Sequence, residues 1–300
     1  MKRFVLLFCC SLLLLTGCSF KDVKKTSSNK KLSVYTSFYP MYDFAKKIGG
    51  TKVDVKNMTP AGIEPHDFEP TTNDIKGLSN ADMFIYNGDN MEHWVNDVIQ
   101  SLDNRNILIV KASDGIDLMK GEKSSDSMDP HTWLSIRNAK KELEKIKNAF
   151  CKKDPDNATY YEKNYYKYAS EFDALDSQYK KELLPYKGRS IVVAHQAFGY
   201  LCKDYNLKQI AIEGLSPDSE PSPARMAEII KSAKKNKIKV IFYEELVNPK
   251  VAETIAKETG SETKVLNTLE ELSDKKIKEG EDYISVMKTN LQNLVYALSK

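Results

Sequence analysis

The sequence predicts an α/β protein: two similar (β/α) domains with parallel-type sheets, joined by one long linking helix. Three observations predict it. Short β-branched runs alternate with helical patterns over residues 31–110 and again over 190–266, the spacing of strand–helix–strand units whose strands lie parallel. Between these regions, apolar residues step by three and four over a stretch long enough to cross a domain. Finally, EPHDFEPTTNDIKGLSNADMFIYNG (64–88) and EPSPARMAEIIKSAKKNKIKVIFYE (220–244) share one order of Pro-rich loop, helix and apolar strand. A length of 300 residues fits two domains at roughly 150 each.

The elements follow in chain order. Lys2 and Arg3 precede a 12-residue apolar run, Phe4 to Leu15, the length of a signal h-region and short for a membrane span. It ends in Leu15-Thr16-Gly17-Cys18, which resembles the lipobox of bacterial lipoproteins. That resemblance implies a signal peptide over 1–17, cleavage after Gly17 and membrane lipid carried on Cys18. Residues 18–31 are polar, basic and aperiodic, and read as a solvated tether. No transmembrane helix is expected beyond this point. Of five cysteines, Cys9 and Cys10 leave with the signal, so the folded part keeps Cys151 and Cys202, whose pairing the sequence leaves open.

The first domain, 32–153, places strands at 32–36, 53–58, 83–86 and 107–110. Helices fall at 40–48, 71–79 and 91–102, and Gly49-Gly50 stops the first. Trp133, Ile136, Ala139, Leu143, Ile146 and Ala149 then mark an amphipathic helix. Asp154-Pro155 reads as an N-cap with proline at the first helical position. From there Tyr161, Tyr165, Tyr168, Phe172, Leu175, Tyr179 and Leu183 continue the spacing to Pro185 and Gly188. In this linking segment, 154–187, a helix of about 30 residues is about 45 Å long at 1.5 Å per residue. In the second domain, 188–300, strands are expected at 190–194, 209–212, 240–243 and 264–266. Helices fall near 197–204, 224–236 and 249–259, and the last presents Ile284, Met287, Leu291, Leu294 and Leu298 on one face. Ligands of such sheets bind beyond the carboxyl ends of the strands, which places a site in the cleft between domains.

Three of the four histidines stand at element ends. His66 lies in a Pro-rich loop after a strand, His131 on a turn entering a helix, and His195 directly ends an apolar strand. A neutral imidazole offers a lone pair to a transition metal, and three that converge on one cleft leave a tetrahedral Zn²⁺ short of one ligand. A carboxylate would complete the shell, and Glu281 or Asp282 stands at the entry to the last helix. Either also fits as an ordinary acidic residue at a helix N-terminus. His93 falls within a helical pattern and is read as a non-ligand.

GIEPHDFEPT (62–71), DPHTWLS (129–135), VVAHQAFGYL (192–201) and GEDYISVMKTN (280–290) resemble, in order, motifs of a known family. It is the metal-binding lipoproteins of bacterial ABC uptake systems, the zinc- and manganese-specific solute-binding proteins of cluster A-I. The resemblance runs over nearly the whole chain. It implies two (β/α) domains joined by one long helix, with the metal enclosed between them. His66, His131 and His195 match three ligand positions, Glu281 matches the fourth, and Asp282 matches a non-ligand position. The family's manganese branch carries a carboxylate where this chain has His195. Imidazole suits zinc and oxygen-rich shells suit manganese, so Zn²⁺ is favoured over Mn²⁺. Many zinc members also carry a His-rich loop before the second ligand, where this chain has only GEKSSDSM (121–128).

The function implied is an extracytoplasmic lipoprotein on the outer face of the cytoplasmic membrane. It captures Zn²⁺ as a monomer and delivers it to an ABC transporter permease. The same role for Mn²⁺, or a metal-stabilised surface adhesin active in cell adhesion, are the alternatives. A net charge of +3 spread along the chain gives no footprint for nucleic acid. No enzyme is expected: the chain has no HExxH helix, no zinc-deaminase pattern and no Gly-x-Ser-x-Gly elbow.

Overall fold

Among the described residues, eight short strands form where the β-branched runs stand, and their connections are long enough to keep every neighbouring pair in a sheet parallel. In a computed structural model, residues 30–104, 106–121, 127–217, 221–245 and 248–300 are described. The expected signal peptide, Cys18, most of the tether and residues 122–126 lie outside them. The first sheet contains β1 (Leu32–Thr36), β2 (Val53–Asn57), β3 (Met83–Tyr86) and β4 (Leu108–Lys111), in the order β2-β1-β3-β4. The second contains β5 (Ser190–Val193), β6 (Lys208–Ala211), β7 (Val240–Tyr243) and β8 (Glu262–Val265), in the order β6-β5-β7-β8. All pairings are parallel. The two orders are equivalent, so the repeat in the sequence is a repeat in topology. In each sheet the order reverses beside the first strand, and a crevice opens there at the carboxyl ends.

Both faces of each sheet are covered, as parallel sheets require. Along β3, Met83 and Ile85 point into one core while Phe84 and Tyr86 point into another. On β7, Val240 and Phe242 face the first core and Ile241 the opposite side. Helices α2 (Thr72–Leu78) and α3 (Val95–Ser101) cover the outer face of the first sheet. Their counterparts on the second are α7 (Pro223–Lys235) and α8 (Lys250–Thr259). The inner faces of both sheets share one continuous core with α1 (Tyr39–Gly49), α4 (Ile136–Lys153), α5 (Ala158–Leu183), α6 (Gly199–Tyr205) and α10 (Tyr283–Ser299). A short α9 (Asp274–Lys278) has no counterpart in the apolar pattern, because it buries none of its residues.

The linking helix is α5, 26 residues long. Asp154 is not its N-cap. It closes α4, and Pro155–Asn157 form a 3₁₀ turn before α5 begins at Ala158. The Asp154 carboxylate instead accepts the Tyr161 hydroxyl at 2.6 Å and the Asn157 amide at 2.8 Å. Helix α3 is shorter than the apolar pattern suggests, starting at Val95 rather than 91. The cause is Glu92, whose buried carboxylate accepts the backbone N–H groups of Asn87 and Gly88, both at 2.8 Å, and holds 88–94 in turns. No helix among the described residues is long and apolar enough to cross a membrane.

Candidate metal centre

Four side chains meet beyond the carboxyl ends of four strands. His66 follows β2, His131 lies between β4 and α4, His195 is two residues past β5, and Glu270 follows β8. His66 is carried by a loop that leaves β2 through two backbone bonds, Met58 N–H to Thr36 at 2.8 Å and Thr59 N–H to Ser37 at 3.0 Å. Phe68, two residues past His66, anchors the loop against Trp94 with ring centroids 5.8 Å apart. Glu270 is placed from two sides. The Asn290 side chain on α10 accepts the Asn267 N–H and donates to its carbonyl, at 2.9 and 2.8 Å. The Trp133 indole, two residues past His131, donates to the Thr268 carbonyl at 2.8 Å.

The facing atoms are spaced like the corners of a tetrahedral coordination shell. His131 Nε2 lies 3.2 Å from His66 Nε2 and 3.1 Å from His195 Nε2. Glu270 Oε1 lies 3.2 Å from His131 Nε2 and 3.5 Å from each of the other two. Ligand atoms 2.0–2.1 Å from a tetrahedral zinc sit about 3.3–3.4 Å from one another, so these five separations match tetrahedral edges. Glu270 Oε1 is fully buried without a hydrogen-bond partner, while Oε2 accepts the Thr268 hydroxyl at 3.0 Å. An orphaned carboxylate oxygen turned toward three imidazoles is costly unless a cation completes it.

Outer partners fix the rings. His131 Nδ1 donates to Asp129 at 2.8 Å and His195 Nδ1 donates to Glu244 at 2.7 Å, and both carboxylates are buried. This leaves each Nε2 lone pair aimed at the centre, as in carboxylate–histidine–metal arrangements. Burial pulls both imidazoles toward neutrality, but the carboxylates outweigh it. The hydrogen bond to Asp129 and the Glu270 carboxylate beside it hold His131 above the usual histidine range, and the charges of Glu244 and Glu270 hold His195 well above it. Burial would likewise raise Glu270, yet His195 and the other two imidazoles hold it well below the carboxylate range. Beside the cluster, Glu64 accepts the His66 N–H at 3.3 Å. Burial first, then the charge of Glu270, pushes its pKa up to about 8.

The chain matches, over residues 34–297, the family described as zinc-uptake complex component A, periplasmic. It is 43% identical to the high-affinity zinc uptake system protein ZnuA of Bacillus subtilis, covering 94% of this chain and 93% of that protein. It is 40% identical to the zinc-binding lipoprotein AdcA of Streptococcus pneumoniae, covering 94% of this chain but 58% of AdcA. The Zn(II)-bound ZnuA-like domain of that AdcA superposes with a TM-score of 0.81 at 40% identity, over 90% of this chain and all of that domain. The chain belongs to the zinc-uptake component A family.

Within this family member, the structure gathers His66, His131 and His195 and leaves Glu281 aside. Glu281 precedes α10, half-buried, and its carboxylate accepts the Ser285 hydroxyl at 2.5 Å. Next to it, Asp282 caps α10 through the Ser285 N–H at 2.8 Å. A helix N-terminus satisfies both carboxylates locally, which is why the motif reaches the site through Asn290 rather than Glu281. Glu270 gave no motif of its own; the usable signal was its place just beyond a strand's carboxyl end, the rule that also marks His66 and His195. Glu244, at the end of β7, was missed for the same reason. His93 lies before α3, exposed, with Nε2 3.1 Å from Glu69 on the His66 loop. Cys151 and Cys202 are not joined to each other by a disulfide.

Proposed function

We propose that this protein captures Zn²⁺ through His66, His131, His195 and Glu270 and delivers it to an ABC permease. The observation that carries the reading is the buried tetrahedral set of three nitrogens and one orphaned oxygen. The names of the relatives support zinc as the cargo. The two outer carboxylates hold the His131 and His195 rings with Nε2 toward the centre, so incoming Zn²⁺ takes the place of protons there and needs no rearrangement of the rings. Three neutral imidazoles and one carboxylate leave a bound Zn²⁺ with one residual positive charge. Four protein ligands leave no position for a reactive water, so the site binds without hydrolysing. Three nitrogens also make the shell less suited to Mn²⁺. The adhesin reading has no feature of the site to support it.

The cation reaches the four atoms from the side of His66. His131 and His195 are fully buried, whereas the His66 side chain keeps 8% of its exposure. In this reading the lipobox resemblance anchors the protein through Cys18 at the outer face of the membrane, within reach of the permease, and it acts there as a monomer. Full-length protein purified without added metal is expected to carry close to one zinc by elemental analysis. His195→Ala should lose it while keeping its far-UV circular dichroism, and one zinc retained by that variant would defeat the reading. Cys18→Ser should appear in the medium, and membrane retention of that variant would remove the anchor.

A further inference from the structure

Asp129, which orients His131, approaches α6 more closely than any side chain at the facing position would permit. Asp129 is buried, and its Oδ1 accepts two N–H groups from His131, the backbone at 2.9 Å and Nδ1 at 2.8 Å. Its main chain is fixed as well. The Asp129 N–H donates to the Met119 carbonyl at 2.7 Å, and the Asp129 carbonyl accepts the Tyr200 hydroxyl at 2.8 Å. That hydroxyl in turn accepts the Met119 N–H at 2.9 Å. The remaining oxygen, Oδ2, faces Gly199, the first residue of α6. A Cβ at Gly199 would lie 2.8 Å from it, closer than carbon and oxygen pack. Gly199 is not among the glycines with positive φ, so its backbone conformation does not call for glycine. The space does.

We propose that Gly199 is a positioning residue for metal capture. Its missing side chain lets Asp129 press against α6 and hold the His131 ring with Nε2 toward the metal. The orientation of a ligand that enters from the first sheet is thereby set by a helix of the second. Relief by a small movement is not open to the carboxylate. An aspartate has two side-chain torsions, and the two bonds to His131 and the two main-chain bonds fix both. A methyl at 199 must either push Oδ2 back, drawing Oδ1 off Nδ1, or push α6 away, stretching the Tyr200 bond. Both loosen the ring. This inference rests on His131 being a zinc ligand.

The test is a double-mutant cycle read by zinc affinity in chelator competition, with far-UV circular dichroism and thermal melting as checks of fold. Gly199→Ala is expected to weaken zinc binding about tenfold or more, the range for disturbing an outer partner of a ligating histidine. Asp129→Ala should cost a similar factor. Adding Gly199→Ala to Asp129→Ala should cost nothing further, because the methyl then has no carboxylate to displace. Gly214→Ala, whose Cβ would meet no atom within 4 Å, should bind zinc as the parent does. Unchanged affinity in Gly199→Ala, losses that multiply in the double variant, or an equal loss in Gly214→Ala would each overturn the proposal. If Gly199→Ala alone does not fold, the double variant should still fold and melt with Asp129→Ala; a double variant that also fails to fold overturns it. His131→Ala separates the two readings. Native affinity there removes the ligand role, whereas loss there with none in Gly199→Ala removes only the role of the glycine.

Discussion

At the residue scale, two glutamates 11 positions apart divide by what surrounds them. Glu281 has the Ser285 hydroxyl of α10 as its donor and is partly exposed. Glu270 has a buried oxygen without a hydrogen-bond donor and three imidazoles facing it. Glu270→Ala should therefore weaken zinc binding by at least two orders of magnitude, while Glu281→Ala should change it less than threefold; chelator competition reads both. The reverse result would restore Glu281 to the site. Protons compete for the same nitrogens. Carboxylates raise His131 and His195 above ordinary histidine, so the metal-free rings still hold protons at a pH where a free histidine has lost them. Zinc must expel these, and its affinity should fall as pH drops, beginning above about 6.5. Calorimetry in two buffers of different ionisation enthalpy should show proton release on binding, and equal heats in both would contradict it. The three histidines were legible because each ends an element. Glu270 was not, because one carboxylate in a loop carries no spacing signal until the strand before it is in place.

At the element scale, α1 and α10 meet through a charge triad in which Asp43 and Lys47 are buried and Asp282 is partly exposed. Lys47 Nζ lies 2.9 Å from Asp43 on the same helix and 2.6 Å from Asp282 at the start of α10. Burial raises the Asp43 pKa, and the charge of Lys47 opposes the rise without cancelling it. Removing the ammonium leaves a buried carboxylate without its counter-charge, a loss of about 3–5 kcal/mol in comparable sites. Lys47→Ala should show a loss of that order in urea unfolding at pH 7. The sign of its pH dependence follows. A carboxyl whose folded pKa is raised favours the folded state below its unfolded pKa, and that contribution is lost as pH rises through the folded pKa. The deficit of Lys47→Ala should therefore shrink between pH 7 and pH 5, and an equal deficit at both would place the damage elsewhere than Asp43. Strands and long helices were legible from period and composition. The triad was not, since nothing in a sequence pairs Lys47 with Asp282 across 235 positions.

At the scale of the whole molecule, the repeated strand order explains why one chain can hold a cation between its halves. Two sheets of the same topology present carboxyl ends toward each other, and each supplies two of the four groups. The core joining them does not include those groups: it runs through the inner faces of both sheets and five helices, with α5 at its centre. Phe172 on α5 stacks on Tyr283 at 5.0 Å, and the Tyr179 hydroxyl donates to the Met287 carbonyl at 2.6 Å. Removing zinc therefore should not unfold the protein. Far-UV circular dichroism should persist after chelation, while saturating zinc should raise the stability by the binding term, about 4 kcal/mol at free zinc 1,000 times Kd. The local response should differ between elements. Residues 59–71 have no regular structure, and more than half of them stand exposed. Gly62 N–H donates to the Glu271 carboxylate, Glu69 meets His93, and Phe68 is buried. Hydrogen exchange after chelation should accelerate in this segment and remain unchanged in β1, β3, β5 and β7. Exchange that accelerated equally in the central strands would mean that zinc holds the fold itself together, and the protein would then be a zinc-stapled structure rather than a carrier able to give its cargo up.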